Sequence, residues 1–196
     1  GKVIQPYTPE SKKFYTTDTF TDYALGWLDQ HKEDDKPFFL YLAYTAPHDP
    51  LMAWPEDIAK YRGKYREGYE KVRQARFAKQ KSMGLISADY PLSESMHKKW
   101  DELTDEEQDK EDQVMAVYGA MIDRLDQNIG RLQAKLKALG VEDNTLIIFV
   151  SDNGASAENV KLEGTGEIGS MTRWTSLRKD WANVSNTPLR FYKNYS

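Results

Sequence analysis

Three short stretches hold residues whose types and spacing could do chemistry. His48 stands in Pro47-His48-Asp49-Pro50, where two prolines stiffen the loop and keep it out of helix. An imidazole held there titrates near neutrality and could hand a proton to a departing oxygen; a purely structural loop histidine is the competing reading. Asp152 and Asn153, followed by Gly154, offer a carboxylate and an amide carbonyl. These are hard oxygen donors of the kind that hold calcium or magnesium. Asp-Asn-Gly is equally an ordinary turn ending a strand, with Gly154 letting the backbone bend sharply. Lys193, in Phe191-Tyr192-Lys193, could present its ammonium to an anion beside aromatic rings, or simply lie on the surface. Residues 60–81 interleave Lys and Arg with Tyr and Phe. That pattern fits either a groove for an anionic sugar or nucleic acid, or a solvated helix face. His31 and His97 fall in charged stretches that predict exposure, and neither is assigned a role.

The elements around these residues explain why they deserve to be grouped. Residues 37–44, Pro-Phe-Phe-Leu-Tyr-Leu-Ala-Tyr, and 145–150, Thr-Leu-Ile-Ile-Phe-Val, are nearly continuous apolar runs. Such runs suit strands covered on both faces, as in a parallel sheet. The first delivers His48 and the second delivers Asp152 and Asn153. Between them, residues 109–139 carry Val114, Val117, Met121, Leu125, Ile129, Leu132 and Leu136 at helical spacing, with Gly140 in the C-cap position. Helices are also predicted over 15–30, near 55–58 and over 64–83, with Thr104-Asp105-Glu106-Glu107 as a capping box. Residues 155–196 read mostly as loop. Strand, helix and strand make a βαβ-like unit, and a right-handed crossover would bring both strand ends to one edge, where ligands bind in open α/β sheets. The expectation is therefore an α/β fold, part of a mixed, mostly parallel sheet sandwiched by helices. Two strands alone do not make a stable sheet, so partner segments are expected outside this stretch or from another chain.

Composition narrows the classes. The 196 residues include five Trp, twelve Tyr and seven Phe, enough aromatic area to argue against disorder despite 30% charged residues. A net charge of −4 argues against a dedicated nucleic-acid binder. No apolar run approaches the roughly 20 residues that span a bilayer. With no cysteine, disulfides, thiolate zinc sites and a cysteine nucleophile within these residues are excluded.

Taken as a set, the motifs resemble the type I sulfatases of the alkaline phosphatase superfamily. The resemblance rests on residues 37–50, on Met121-Ile122-Asp123-Arg124-Leu125-Asp126-Gln127-Asn128-Ile129-Gly130, and on residues 144–154. It implies a calcium-dependent sulfuric ester hydrolase of arylsulfatase type, acting on a sulfated small molecule or glycan, periplasmic or secreted, without nucleic-acid or membrane partners. By position, His48 matches the histidine that helps protonate the leaving oxygen. Asp152 and Asn153 match a pair of calcium ligands, and Lys193 matches the lysine bridging sulfate and leaving oxygen. Asn153 further favours one hard cation, where zinc phosphatases of the superfamily tend to carry histidine. The family's formylglycine nucleophile and first aspartate pair have no counterpart here. Residues 1–196 are thus expected to be a partial catalytic domain, without the N-terminal nucleophile region or the C-terminal part and inactive alone. A phosphodiesterase or phosphonate hydrolase of the same superfamily, and a non-catalytic module binding sulfated glycans through residues 60–81, are the alternatives.

Overall fold

The computed structural model describes residues 13–34, 36–162 and 164–195. Five α-helices organise them: α1 (Thr16–Gln30), α2 (Pro55–Ala59), α3 (Tyr69–Ser82), α4 (Asp105–Ala138) and α5 (Arg178–Ser185). Single 3-10 turns lie at Trp100–Glu102 and Glu142–Asn144. The chain divides into two compact units. One comprises Gly1–Thr45 with Arg124–Ile147, the other Ala46–Asp123 with Ile148–Ser196.

In the first unit, α1 and the C-terminal part of α4 are tied by charge. The Asp18 carboxylate accepts from Arg124 Nε at 2.8 Å and Nη2 at 2.7 Å, and from Asn128 Nδ2 at 2.8 Å. Asp22 pairs with Arg131 and Asp29 with Lys135. Both partners advance together in number, so the two helices run in the same direction. Ala24, Leu28, Leu125 and Leu136 are buried. The polar residues at 16–18 do not cap α1, since no side-chain cap forms at Tyr15. Asp18 faces Arg124 instead.

The second unit carries the larger core: Leu51, Tyr69, Val114, Met115, Val117, Met121, Leu177, Trp181, Ala182 and Val184. Tyr69 packs edge-on against Trp181 at 4.6 Å and Trp100 at 4.9 Å, the geometry aromatic quadrupoles prefer. The indole of Trp181 donates to Glu111 O at 3.0 Å, so its burial leaves no polar atom stranded. α4 begins at its capping box. Thr104 N–H donates to Glu107 Oε2 at 2.8 Å, and Glu107 N–H donates to Thr104 Oγ1 at 3.3 Å. The helix thus starts four residues before the apolar stripe predicts, and it stops at Gly140, whose φ is 70°. α3 starts later than the pattern predicts, at Tyr69 rather than 64. The preceding residues wrap around buried Asp112, which accepts from Gly63 N–H at 2.9 Å and Tyr65 N–H at 3.0 Å.

The expected sheet is not seen in the described residues. Among the described residues there is no β-strand. Residues 37–44 and 145–150 take no regular secondary structure. Phe39 is 89% exposed, Tyr41 81%, Leu146 84% and Ile148 74%. The physical reason is that a strand is stable only with hydrogen-bonded neighbours, and among the described residues no strand lies beside these runs; residues 37–44 touch α1, through Phe38 against Trp27 and Tyr44 with Thr21. Residues 155–195 are mostly loop, with one addition: α5 forms there with Trp181, Ala182 and Val184 buried.

Candidate functional site

The loop bearing His48 is held against the segment that leads into α5. Leu51 N–H donates to Thr175 O at 2.8 Å, and Leu177 N–H donates to Asp49 Oδ1 at 3.3 Å. The other carboxylate oxygen of Asp49 is buried without a hydrogen-bond partner. Burial raises the Asp49 carboxyl above its ordinary range, only partly offset by the Leu177 amide and the Ser176 hydroxyl.

His48 itself is exposed. Its Nδ1 lies 2.8 Å from Asp49 O. A carbonyl oxygen only accepts, so Nδ1 carries the hydrogen of that contact and Nε2 is the ring atom left to act. Nε2 lies 3.5 Å from Lys193 Nζ. Two residues 145 positions apart therefore converge on one spot, with the Lys193 ammonium donating toward the Nε2 that the Nδ1 contact leaves as acceptor. Lys193 also lies 3.7 Å from Glu158 Oε1.

Asp152 and Asn153 occupy the exposed turn just before this cluster. Ser151 Oγ donates to Asn153 O at 2.8 Å, and Asn153 Nδ2 donates to Gly154 O at 2.9 Å. The second contact assigns the amide's donor end and leaves Oδ1 as an acceptor. The turn is linked to the Lys193 loop through its own backbone and through Asn186. Lys193 N–H donates to Ala155 O at 2.9 Å. Asn186 accepts from Ala155 N–H at 2.9 Å through Oδ1 and donates to Phe191 O at 2.9 Å through Nδ2. Gly154 is needed here for closeness rather than for a left-handed bend. Its φ is not positive, but an added Cβ would stand 2.4 Å from Asn186 Nδ2.

The donor chemistry fits a hard cation in part. Asp152 and Asn153 could offer two of the six to eight oxygens calcium takes. Among the described residues no group of three or more His, Asp or Glu is placed to hold a metal. Any calcium here needs further ligands from elsewhere.

Two expectations on histidine and basic residues change. His97 is not exposed: its side chain is 6% accessible and Nε2 lies 2.9 Å from Glu70 Oε2. Four of the nine basic side chains of residues 60–81, Lys60, Arg62, Arg66 and Arg73, meet carboxylates. Lys60 contacts Asp57 at 2.7 Å and Asp123 at 3.1 Å, Arg62 binds Asp109 and Asp112, Arg66 binds Asp109, and buried Arg73 donates to Ser93. Asn186 and Glu158 carry no motif, and nothing in the sequence pointed to either.

An imidazole, an ammonium and hard oxygen donors on neighbouring loops suit the cleavage of an anionic ester. Comparison with known proteins makes that class specific. The sulfatase family model matches residues 2–193, and the chain belongs to the sulfatase family. It is 38% identical over 195 residues to an arylsulfatase of Klebsiella aerogenes, covering 93% of this chain and 41% of that protein. It is 37% identical over 204 residues to an uncharacterized sulfatase of Schizosaccharomyces pombe, covering 94% of this chain and 36% of the relative. A multifunctional alkaline phosphatase superfamily protein of Trinickia caryophylli is 30% identical over 160 residues, 81% of this chain and 30% of its own length. The chain thus spans well under half of these relatives. No helix among the described residues is long and apolar enough to cross a membrane.

Proposed function

We propose that this chain is part of the catalytic domain of a sulfuric ester hydrolase of arylsulfatase type, inactive by itself, whose full-length protein cleaves sulfate monoesters. Family membership and the 3.5 Å approach of His48 Nε2 to Lys193 Nζ support this reading, and the second observation carries it. In the reaction, Lys193 receives an anionic oxygen of the ester. His48 is steered by its Nδ1 contact with Asp49 O, and in its doubly protonated form its Nε2–H delivers a proton to the ester oxygen as the nucleophile bonds to sulfur and the sulfur–oxygen bond breaks. That proton prevents a full alkoxide charge from building up, a contribution of about 10²–10⁴-fold. Asp152 and Asn153 would hold a calcium ion together with ligands outside this chain, and calcium bound there would offset negative charge on the sulfate oxygens. The nucleophile, a formylglycine by family resemblance, belongs to the missing segments of the full-length protein, as do the strands needed to complete an α/β sheet around residues 37–44 and 145–150. The substrate is a sulfated small molecule or glycan, and an exported, periplasmic or secreted, location goes with it.

The glycan-binding alternative is weakened, because Lys60, Arg62 and Arg66, three of the nine cations of residues 60–81, are engaged by Asp57, Asp109, Asp112 and Asp123. The phosphodiesterase alternative is separated by rates. The full-length protein should turn over an aryl sulfate faster than the matching phosphate diester, and removal of calcium should abolish the sulfate activity. Faster diester cleavage, or sulfate turnover indifferent to calcium, would contradict the proposal.

A further inference from the structure

Lys193 does not face the anion site alone. Glu158 Oε1 lies 3.7 Å from Lys193 Nζ, the same atom that lies 3.5 Å from His48 Nε2. The pair is set by backbone as well as by charge. Lys193 N–H donates to Ala155 O at 2.9 Å, and Glu158 N–H donates to Ser156 Oγ at 3.3 Å, with Ser156 only 9% exposed. Both partners of the ion pair therefore hang from the four residues 155–158. The Asp49 carboxylate is close enough to Glu158 for the two charges to be felt mutually. An anion arriving at Lys193 meets one ammonium with the Glu158 carboxylate beside it.

A sulfate monoester brings a single negative charge, whereas a phosphate monoester brings about −1.5 to −2 near neutral pH. A carboxylate a few ångströms from the binding ammonium repels both, but it repels the second charge in addition to the first. Resting on the reading of Lys193 as the anion-binding residue, we propose that Glu158 is a specificity-determining residue that selects singly charged sulfate esters against doubly charged phosphate monoesters. Its side chain is 52% exposed, so solvent weakens the effect. A discrimination of roughly three- to tenfold follows.

The test measures kcat/KM of the full-length protein on an aryl sulfate and on the phosphate monoester of the same phenol. Glu158→Gln should raise the phosphate-to-sulfate ratio by about three- to tenfold, while Glu158→Asp, which keeps the charge, should stay close to wild type. A ratio unchanged in Glu158→Gln overturns the inference. So do equal changes on both substrates, which would make Glu158 only a support for Lys193, and so does a Glu158→Asp variant that behaves like Glu158→Gln. Undiminished sulfate turnover in His48→Ala is a different failure, because it would remove the catalytic reading itself.

Discussion

Asn186 is the residue through which the two halves of the proposed site are coupled, and its removal has a calculable cost. Its side chain satisfies Ala155 N–H and Phe191 C=O, each at 2.9 Å. Alanine replaces neither contact. At about 0.5–1.5 kcal/mol for each hydrogen bond, Asn186→Ala should destabilise the fold by ~1–3 kcal/mol. Gly154→Ala should cost a similar ~1–3 kcal/mol by overpacking, since its Cβ would lie 2.4 Å from Asn186 Nδ2 and 3.1 Å from Cγ. Asn186 is pinned at both ends of its amide and cannot swing aside. Those clashing atoms are absent in the double variant, which should therefore be no less stable than Asn186→Ala alone. The coupling energy should be at least ~1 kcal/mol, against the ~0.5 kcal/mol scatter of independent sites. Urea unfolding of the full-length protein measures the stabilities, and calcium titration of aryl sulfate turnover measures the site. Asn186→Ala should raise the half-saturating calcium concentration, because the turn carrying Asp152 and Asn153 loses its brace. Strictly additive costs, with an unchanged calcium requirement, would refute the coupling.

Further outcomes follow from the fold. Burial alone would raise the Asp18 carboxyl, but the hydrogen bonds from Arg124 and Asn128 and the charges of Arg124 and Arg131 together hold it below the ordinary range. The pair therefore contributes stability above the unfolded carboxyl value of about 3.9 and loses it as pH falls through the lower folded value. Asp18→Asn should cost ~1–3 kcal/mol at pH 7, and its melting temperature should converge on wild type in strong acid; a gap independent of pH would contradict this. Gly68 has φ of 88°, and a Cβ there would lie 2.3 Å from the Trp100 ring. Gly68→Ala should destabilise by ~2–5 kcal/mol, combining left-handed strain with displacement of an indole, and an unaltered thermal midpoint would show that Trp100 is free to move.

The helices were legible where local signals agree. α4 announced itself by a capping box, a long apolar stripe and a terminal glycine, and all three act as their chemistry predicts. The helix over 15–30 was legible, though its charged face is tied to α4 by Asp18, Asp22 and Asp29 in a way no local pattern encodes. The apolar runs 37–44 and 145–150 were legible as strand-forming, but pairing is a property of neighbours. Without them Phe39 and Ile148 remain exposed. α5 escaped notice because eight residues are too few to show a period, and its burial comes from Trp181 meeting Tyr69 across the core. Of the site, the motifs indicated His48, Asp152, Asn153 and Lys193. Glu158 and Asn186 were not legible, because a carboxylate 35 residues before Lys193 and an amide joining two loops acquire meaning only when the chain is folded.

The central claim is that His48 supplies the proton taken up by the leaving oxygen, and leaving-group dependence reads that proton directly. In the full-length protein, His48→Ala should lower kcat by about 10²–10⁴-fold on a sulfate ester of a poorly acidic alcohol. The loss should be much smaller on the sulfate of an acidic nitrophenol, which departs without needing a proton. An equal loss on both esters, or no loss on either, would contradict the account.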